Sequence, residues 1–127
     1  MGERLEIKHK LSFGKNEKIK KNSLIKKIIS NGRRYRTDIL ECYHLKDQDN
    51  TTNKVAVIVP KRNIKLATDR NFLKRRMRET YRLNKMILAK TGHLCVFIFK
   101  GKEKKSFHEI EAPMIDILSK LEIKSLS

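Results

Sequence analysis

Thr68-Asp-Arg-Asn-Phe-Leu-Lys-Arg-Arg-Met-Arg-Glu-Thr-Tyr-Arg82 is the stretch on which the reading of this chain turns. As a helix it places Arg70, Lys74, Arg78 and Arg82 at steps of four, with Arg75 and Lys85 beside them. One flank is then a nearly unbroken cationic stripe. Leu73, Met77, Thr80 and Ile87 fall on another flank and give the helix a packing surface. Thr68 is placed to cap the helix, because its hydroxyl can accept from an unpaired amide one turn in. Asp69 puts negative charge at the positive end of the helix dipole. Like charges stacked at this spacing repel and cost the helix stability. The stripe therefore points to an anionic partner.

Outward from the stripe, Lys61-Arg-Asn-Ile-Lys65 is a basic loop that leads into the helix. Lys61 to Lys85 carry ten Lys or Arg against two acids, Asp69 and Glu79. Before the loop, Lys54-Val-Ala-Val-Ile-Val59 is β-branched and almost wholly apolar, as a central strand requires, and Pro60 ends it. After the helix, which is expected to run to about Lys90, Thr91-Gly92 closes the turn and Leu94 to Phe99 reads as a buried strand. Gly101 to Lys105 is a basic turn. Ser106 caps a last amphipathic helix with Phe107, Ile110, Met114, Ile117, Leu118 and Leu121 at helical spacing, in which Pro113 marks a start or a kink.

On the N-terminal side, residues 1–17 read as a flexible basic arm and residues 18–127 as one domain. Lys18 to Asn31 has a helical pattern, with Asn22 or Ser23 as cap and Asn31-Gly32 as stop. Arg33-Arg-Tyr-Arg36 reads as a basic turn. Ile39 to Leu45 is strand-like, with Ile39, Glu41, Tyr43 and Leu45 on one face. The polar stretch from Lys46 to Asn53 reads as a hairpin connection. The expected order is helix, three strands or hairpin arms, long helix, strand, helix: an α+β domain with one sheet and helices mainly on one face.

The 127 residues suffice for a single core without disulfides or metal. Lys and Arg total 31 against 14 Asp and Glu, a net charge of +17, which favours a polyanionic partner, nucleic acid ahead of a membrane surface. No apolar run approaches the roughly 20 residues needed to span a bilayer, and the first residues lack the apolar core of a signal peptide, so a cytoplasmic protein is expected. Cys42 and Cys95 sit in apolar segments and read as buried reduced thiols, and the four histidines show no metal-ligand spacing. No nucleophile–base pair, carboxylate pair or glycine-rich phosphate loop is evident. By its own residues the chain is a binder. Arginine forks suit bidentate contact with phosphate, and neutralising several phosphates makes affinity fall steeply with salt.

The run Arg70-Asn71-Phe72-Leu73-Lys74-Arg75-Arg76-Met77-Arg78-Glu79 closely resembles the signature of the bacterial ribonuclease P protein subunit: an Arg-Asn pair, then Lys-Arg, then Arg-Glu. Val57-Ile-Val-Pro-Lys61-Arg62 is similar to the family's strand with its two following basic residues, and Lys20 to Gly32 to its first helix. The resemblance spans about residues 18–122. It implies an α-β-β-β-α-β-α order, a four-stranded sheet and a left-handed βαβ crossover of the ribosomal S5 domain 2 type. It also implies a holoenzyme in which the RNA subunit, with bound Mg²⁺, removes the 5′ leader of precursor tRNA, and the protein supplies no catalytic residue.

Carried over by this resemblance, Lys61, Arg62, Arg70, Asn71, Lys74, Arg75, Arg78 and Arg82 face the catalytic RNA. Lys21, Ile25, Lys26, Ile29, Arg33, Arg36 and Tyr43 line a cleft for the leader between the first helix and the sheet, with Tyr43 as its aromatic. The implied partners are the catalytic RNA and precursor tRNA, with no membrane and no obligate protein partner. Phe72 stands where the family commonly has a second Arg, and Ile25 and Ile29 where it often has Phe. The competing readings are a general structured-RNA-binding or ribosomal protein, and a DNA-binding helix, which lacks a second short helix and a dimer signal.

Overall fold

The structure, a computed structural model, describes residues 14–49 and 51–126. Helix α1 (Asn22–Asn31) is followed by β1 (Arg33–Arg36), β2 (Leu40–Lys46) and β3 (Lys54–Ile58). Then come the long helix α2 (Ala67–Asn84), β4 (His93–Phe99) and α3 (Phe107–Leu126). The fold is α+β, in the expected order. The sheet is mixed, with strand order β1-β2-β4-β3; β4 is antiparallel to β2 and parallel to β3. The flexible arm expected at residues 1–17 lies outside the described residues up to residue 13; beyond that, Lys15–Glu17 form a short 3-10 turn.

The burial of β4 explains its central place. His93 to Val96 and Phe97 and Phe99 are buried, and a strand hydrophobic on both faces belongs between layers. Cys95, Phe97 and Phe99 face the main core, where Leu40, Cys42 and Val55 meet Leu73, Met77 and Tyr81 of α2 and Ile110, Met114, Ile117, Leu118 and Leu121 of α3. Leu94 and Val96 face a second cluster with Ala56, with Ile28 of α1 and with Ile19, which precedes that helix. Helices α2 and α3 thus share one face and α1 takes the other. Cys42 and Cys95 are buried free thiols.

Several local expectations are corrected. Lys46 to Asn53 does not connect a hairpin, because β4 lies between β2 and β3; an apolar strand from later in the chain fills the centre instead. Arg33 to Arg36 is an edge strand paired with β2 rather than a turn, since an edge tolerates exposed charge on both faces. Ile39 precedes β2 and packs against the main core, apart from the Glu41–Tyr43–Leu45 face. Lys18 to Lys21 lie outside the helix: the Ile19 amide donates to the Val55 carbonyl at 3.0 Å. Lys21, not Asn22 or Ser23, is the N-cap of α1, and Leu66, not Thr68, that of α2; neither makes a side-chain capping bond. Helix α2 ends at Asn84, whose side-chain amide donates to the Thr80 carbonyl at 2.8 Å and to the Glu111 carboxylate at 3.1 Å. A 3-10 turn, Lys85–Ile87, follows in place of the helix expected to about Lys90.

Other signals hold. Ser106 and Glu109 exchange bonds at the start of α3, with the Glu109 amide donating to Ser106 Oγ and the Ser106 amide to Glu109 Oε1. Pro113 lies inside that helix. Gly32 ends α1 because of space: a Cβ there would run into the Ile28 carbonyl oxygen and stand 2.9 Å from that of His44.

Candidate nucleic-acid interface

Helical spacing along α2 gathers Asn71, Lys74, Arg75, Arg78 and Arg82, with Glu79, around one shallow concavity of about 440 Å³. Arg75 and Arg78 are exposed. Arg82 is held by Glu79, its Nε donating to Oε2 at 3.2 Å, and this bond keeps the Glu79 carboxyl below the ordinary carboxylate range. Arg70 also has a structural duty. Its Nη1 donates to the carbonyls of Ile64 at 3.0 Å and Lys65 at 2.7 Å, so it fixes the loop that carries the exposed Lys61 and Arg62. Lys85 turns to Glu17, with Nζ 2.7 Å from its carboxylate.

Phe72, where the resemblance leads one to expect arginine, is half-buried against the main core. The Arg76 guanidinium lies 5.0 Å and the Lys104 ammonium 4.9 Å from its ring centroid. Lys104 also lies 3.6 Å from Asp69. The position thus gathers two cations in place of supplying one.

On the opposite face of the sheet, Ile25 and Ile29 of α1 and Tyr43 of β2 are half-buried against the second cluster, while Lys21 and Lys26 are exposed. A second concavity of about 200 Å³ runs beside α1 past Lys18, Lys20, Ile25 and Val55 to Arg78. Arg78 borders both concavities and so joins the stripe to the α1 side. Strand register sorts the arginines of β1. Arg34 pairs with Tyr43 and Arg36 with Glu41, on the α1 face; Arg33 pairs with His44, on the other. Arg36 therefore joins the residues read as a cleft, whereas Arg33 lies across the sheet from them.

Sequence reasoning missed the groups that organise this face. Glu41, only 4% exposed, accepts from Arg34 Nε at 3.1 Å, with Nη2 at 3.0 Å. A hydrogen bond with the same carboxylate, together with burial, raises the Tyr43 pKa. The available signal was an acid inside an apolar strand, which needs a partner when buried.

Among the described residues no three His, Cys, Asp or Glu are grouped to hold a metal ion. The one carboxylate of the stripe, Glu79, is engaged by Arg82, so these residues do not fit a protein-held Mg²⁺. Among the described residues no helix is long and apolar enough to cross a membrane.

A family model for ribonuclease P matches residues 13–122. The chain belongs to the ribonuclease P protein family. The chain is 35% identical over 107 residues to the ribonuclease P protein component of Clostridium botulinum (strain Loch Maree / Type A3), covering 84% of the chain and 95% of the relative. It is 31% identical over 111 residues to that of Alkaliphilus metalliredigens (strain QYMF), covering 87% and 97%. The RNase P protein of Staphylococcus aureus superposes with a TM-score of 0.72 at 19% identity, over 83% of this chain and 94% of that one. That of Thermotoga maritima does so at 0.69 and 23%, over 82% and 96%. The two superpositions establish the fold. Family membership makes this ribonuclease P protein a subunit of an endoribonuclease holoenzyme, as the resemblance implied.

Proposed function

We propose that this protein docks the catalytic RNA of ribonuclease P through the α2 stripe and holds the 5′ leader of precursor tRNA against the α1 face of the sheet. The observation that carries the reading is the single concavity lined by Asn71, Lys74, Arg75, Arg78 and Arg82. Five side chains on one flank, four of them cationic, provide several phosphate contacts at fixed spacing. Lys61 and Arg62 extend this surface, on a loop that Arg70 holds in place.

On the other face, Tyr43 offers a ring for stacking a leader base, and Ile25 and Ile29 an apolar floor. Arg36, Lys21 and Lys26 supply charge for the leader backbone. Mg²⁺, bound mainly by the RNA partner, supplies the hydrolytic chemistry; the protein neutralises phosphates so that the RNA can hold that metal at lower concentration. The protein works in the cytoplasm, on precursor tRNA.

The test is the affinity for the cognate RNA subunit of the wild type and of the Lys74→Ala, Arg75→Ala, Arg78→Ala triple variant, across a salt series. The triple variant is expected to bind more weakly and to lose about two to three from the slope of log affinity against log salt. Unchanged affinity and slope, or equal wild-type affinity for unrelated structured RNAs, would overturn the assignment.

A further inference from the structure

A third basic feature lies away from both proposed surfaces. On the α3 side of the sheet edge, a pocket of about 580 Å³ is lined by Arg33, Tyr35, His44, Lys46, His93 and Lys124, among others. Two histidine rings form its floor, with His44 Nε2 and His93 Nδ1 2.8 Å apart. Lys46 Nζ stands 3.5 Å from His93 Nε2 and donates to the Thr91 carbonyl at 2.6 Å. Lys90 also reaches the rim.

The chemistry selects the ligand. Paired imidazoles suggest a transition metal, but Lys46 and the surrounding cations oppose one, and no third His, Cys, Asp or Glu is grouped with the pair among the described residues. None of the lining residues is acidic. The carboxylate that acts on His93 is Glu122, which accepts the Ala89 amide at 3.1 Å. Burial keeps both rings neutral, and their mutual bond uses one of their two N–H groups, so an anion in the pocket would be met chiefly by the ammonium and guanidinium groups of the rim, with the half-buried His44 ring beside it. Tyr35, whose ring meets that of His44 edge-on at 6.5 Å between centroids, adds an aromatic wall.

We infer that this pocket is a phosphate-binding site for RNA, separate from the α2 stripe and from the Tyr43 face. Its position fits a strand crossing β1. The register sets Arg34 and Arg36 on one face of that edge and Arg33 on the other, so cations continue around the edge into the pocket. The inference stands on the pocket's own residues and does not depend on the leader-binding reading of the Tyr43 face.

The test follows the imidazole signals of His44 and His93 by nuclear magnetic resonance in the full chain at constant ionic strength. Inorganic phosphate, a 5′-phosphorylated RNA hexamer and the same hexamer with a 5′-hydroxyl are the probes. All three are expected to move both signals in a saturable way, and the Arg33→Gln, Lys124→Gln variant should weaken that response at least fivefold with the Tyr43 signals unchanged. Equal response to the two hexamers assigns the site to a backbone phosphodiester; a stronger response to the phosphorylated one assigns it to a terminal phosphate. Imidazole signals unmoved by every probe, or moved equally in the variant, would overturn the proposal.

Discussion

The Glu41 carboxylate and the Arg34 guanidinium lie 3.0 Å apart across the β1–β2 pair, the acid buried and the base nearly half exposed. This ion pair fixes a charge inside the face that carries Tyr43, because the same carboxylate engages the tyrosine hydroxyl. Removing the base leaves a buried acid with only the hydroxyl.

Arg34→Ala is therefore expected to cost about 1–3 kcal/mol in urea unfolding, the range for stranding a buried polar group. Replacing both partners, Arg34→Ala with Glu41→Gln, should recover part of that loss. A single variant as stable as the wild type would show that the pair does not hold this face together.

Gly32→Ala tests the close approach of α1 to β2. The added methyl meets the carbonyl oxygens of Ile28 and His44, and an overpacking cost of about 1–3 kcal/mol is expected in thermal unfolding. The shift should also disturb the signals of Ile28 and His44, the residues that meet there. An unaltered midpoint would contradict the packing described.

Phe72→Leu keeps apolar volume but removes the ring that Arg76 and Lys104 approach. A loss of about 1 kcal/mol is expected, while Phe72→Tyr should remain within about 0.5 kcal/mol of the wild type because it retains the face of the ring. Equal stability of the Leu and Tyr variants would remove the cation–ring attraction from the account.

The histidine pair predicts acid sensitivity. Burial first, then His93 and Lys46, lowers the His44 pKa to about 4, and burial lowers that of His93. The folded pKa values lie below the unfolded ones, so the unfolded chain binds more protons as pH falls from about 6.5. Stability is then full above that pH and declines below it, by about 2 kcal/mol for His44 between pH 7 and 5. Urea unfolding in chloride buffers measures this, and His44→Gln should flatten the slope. A wild-type stability constant over that interval would contradict the buried neutral pair.

The sequence made the stripe legible because helical spacing is local: Lys74, Arg75, Arg78 and Arg82 needed only the period of the helix to share a flank. Strand content was legible at β3 and β4 for the same reason, through unbroken apolar runs. Pairing was not. Nothing local tells β2 to accept β4 as its neighbour instead of β3, and that choice depends on which strand is apolar on both faces. The placement of Arg33 was hidden at the same step, since its side of the sheet follows from the register opposite His44. Arg70 resembled its neighbours in sequence, yet its Nη1 also donates to the carbonyls of Ile64 and Lys65; only tertiary geometry shows that it anchors the loop as well.

The most direct test of the proposed function is reconstituted cleavage of precursor tRNA at low Mg²⁺, with the cognate RNA subunit, this protein, or both. The account predicts leader removal only when both are present, and a loss of at least tenfold with the Lys74→Ala, Arg75→Ala, Arg78→Ala variant at unchanged stability. Cleavage by the protein alone, or full activity with the triple variant, would contradict it.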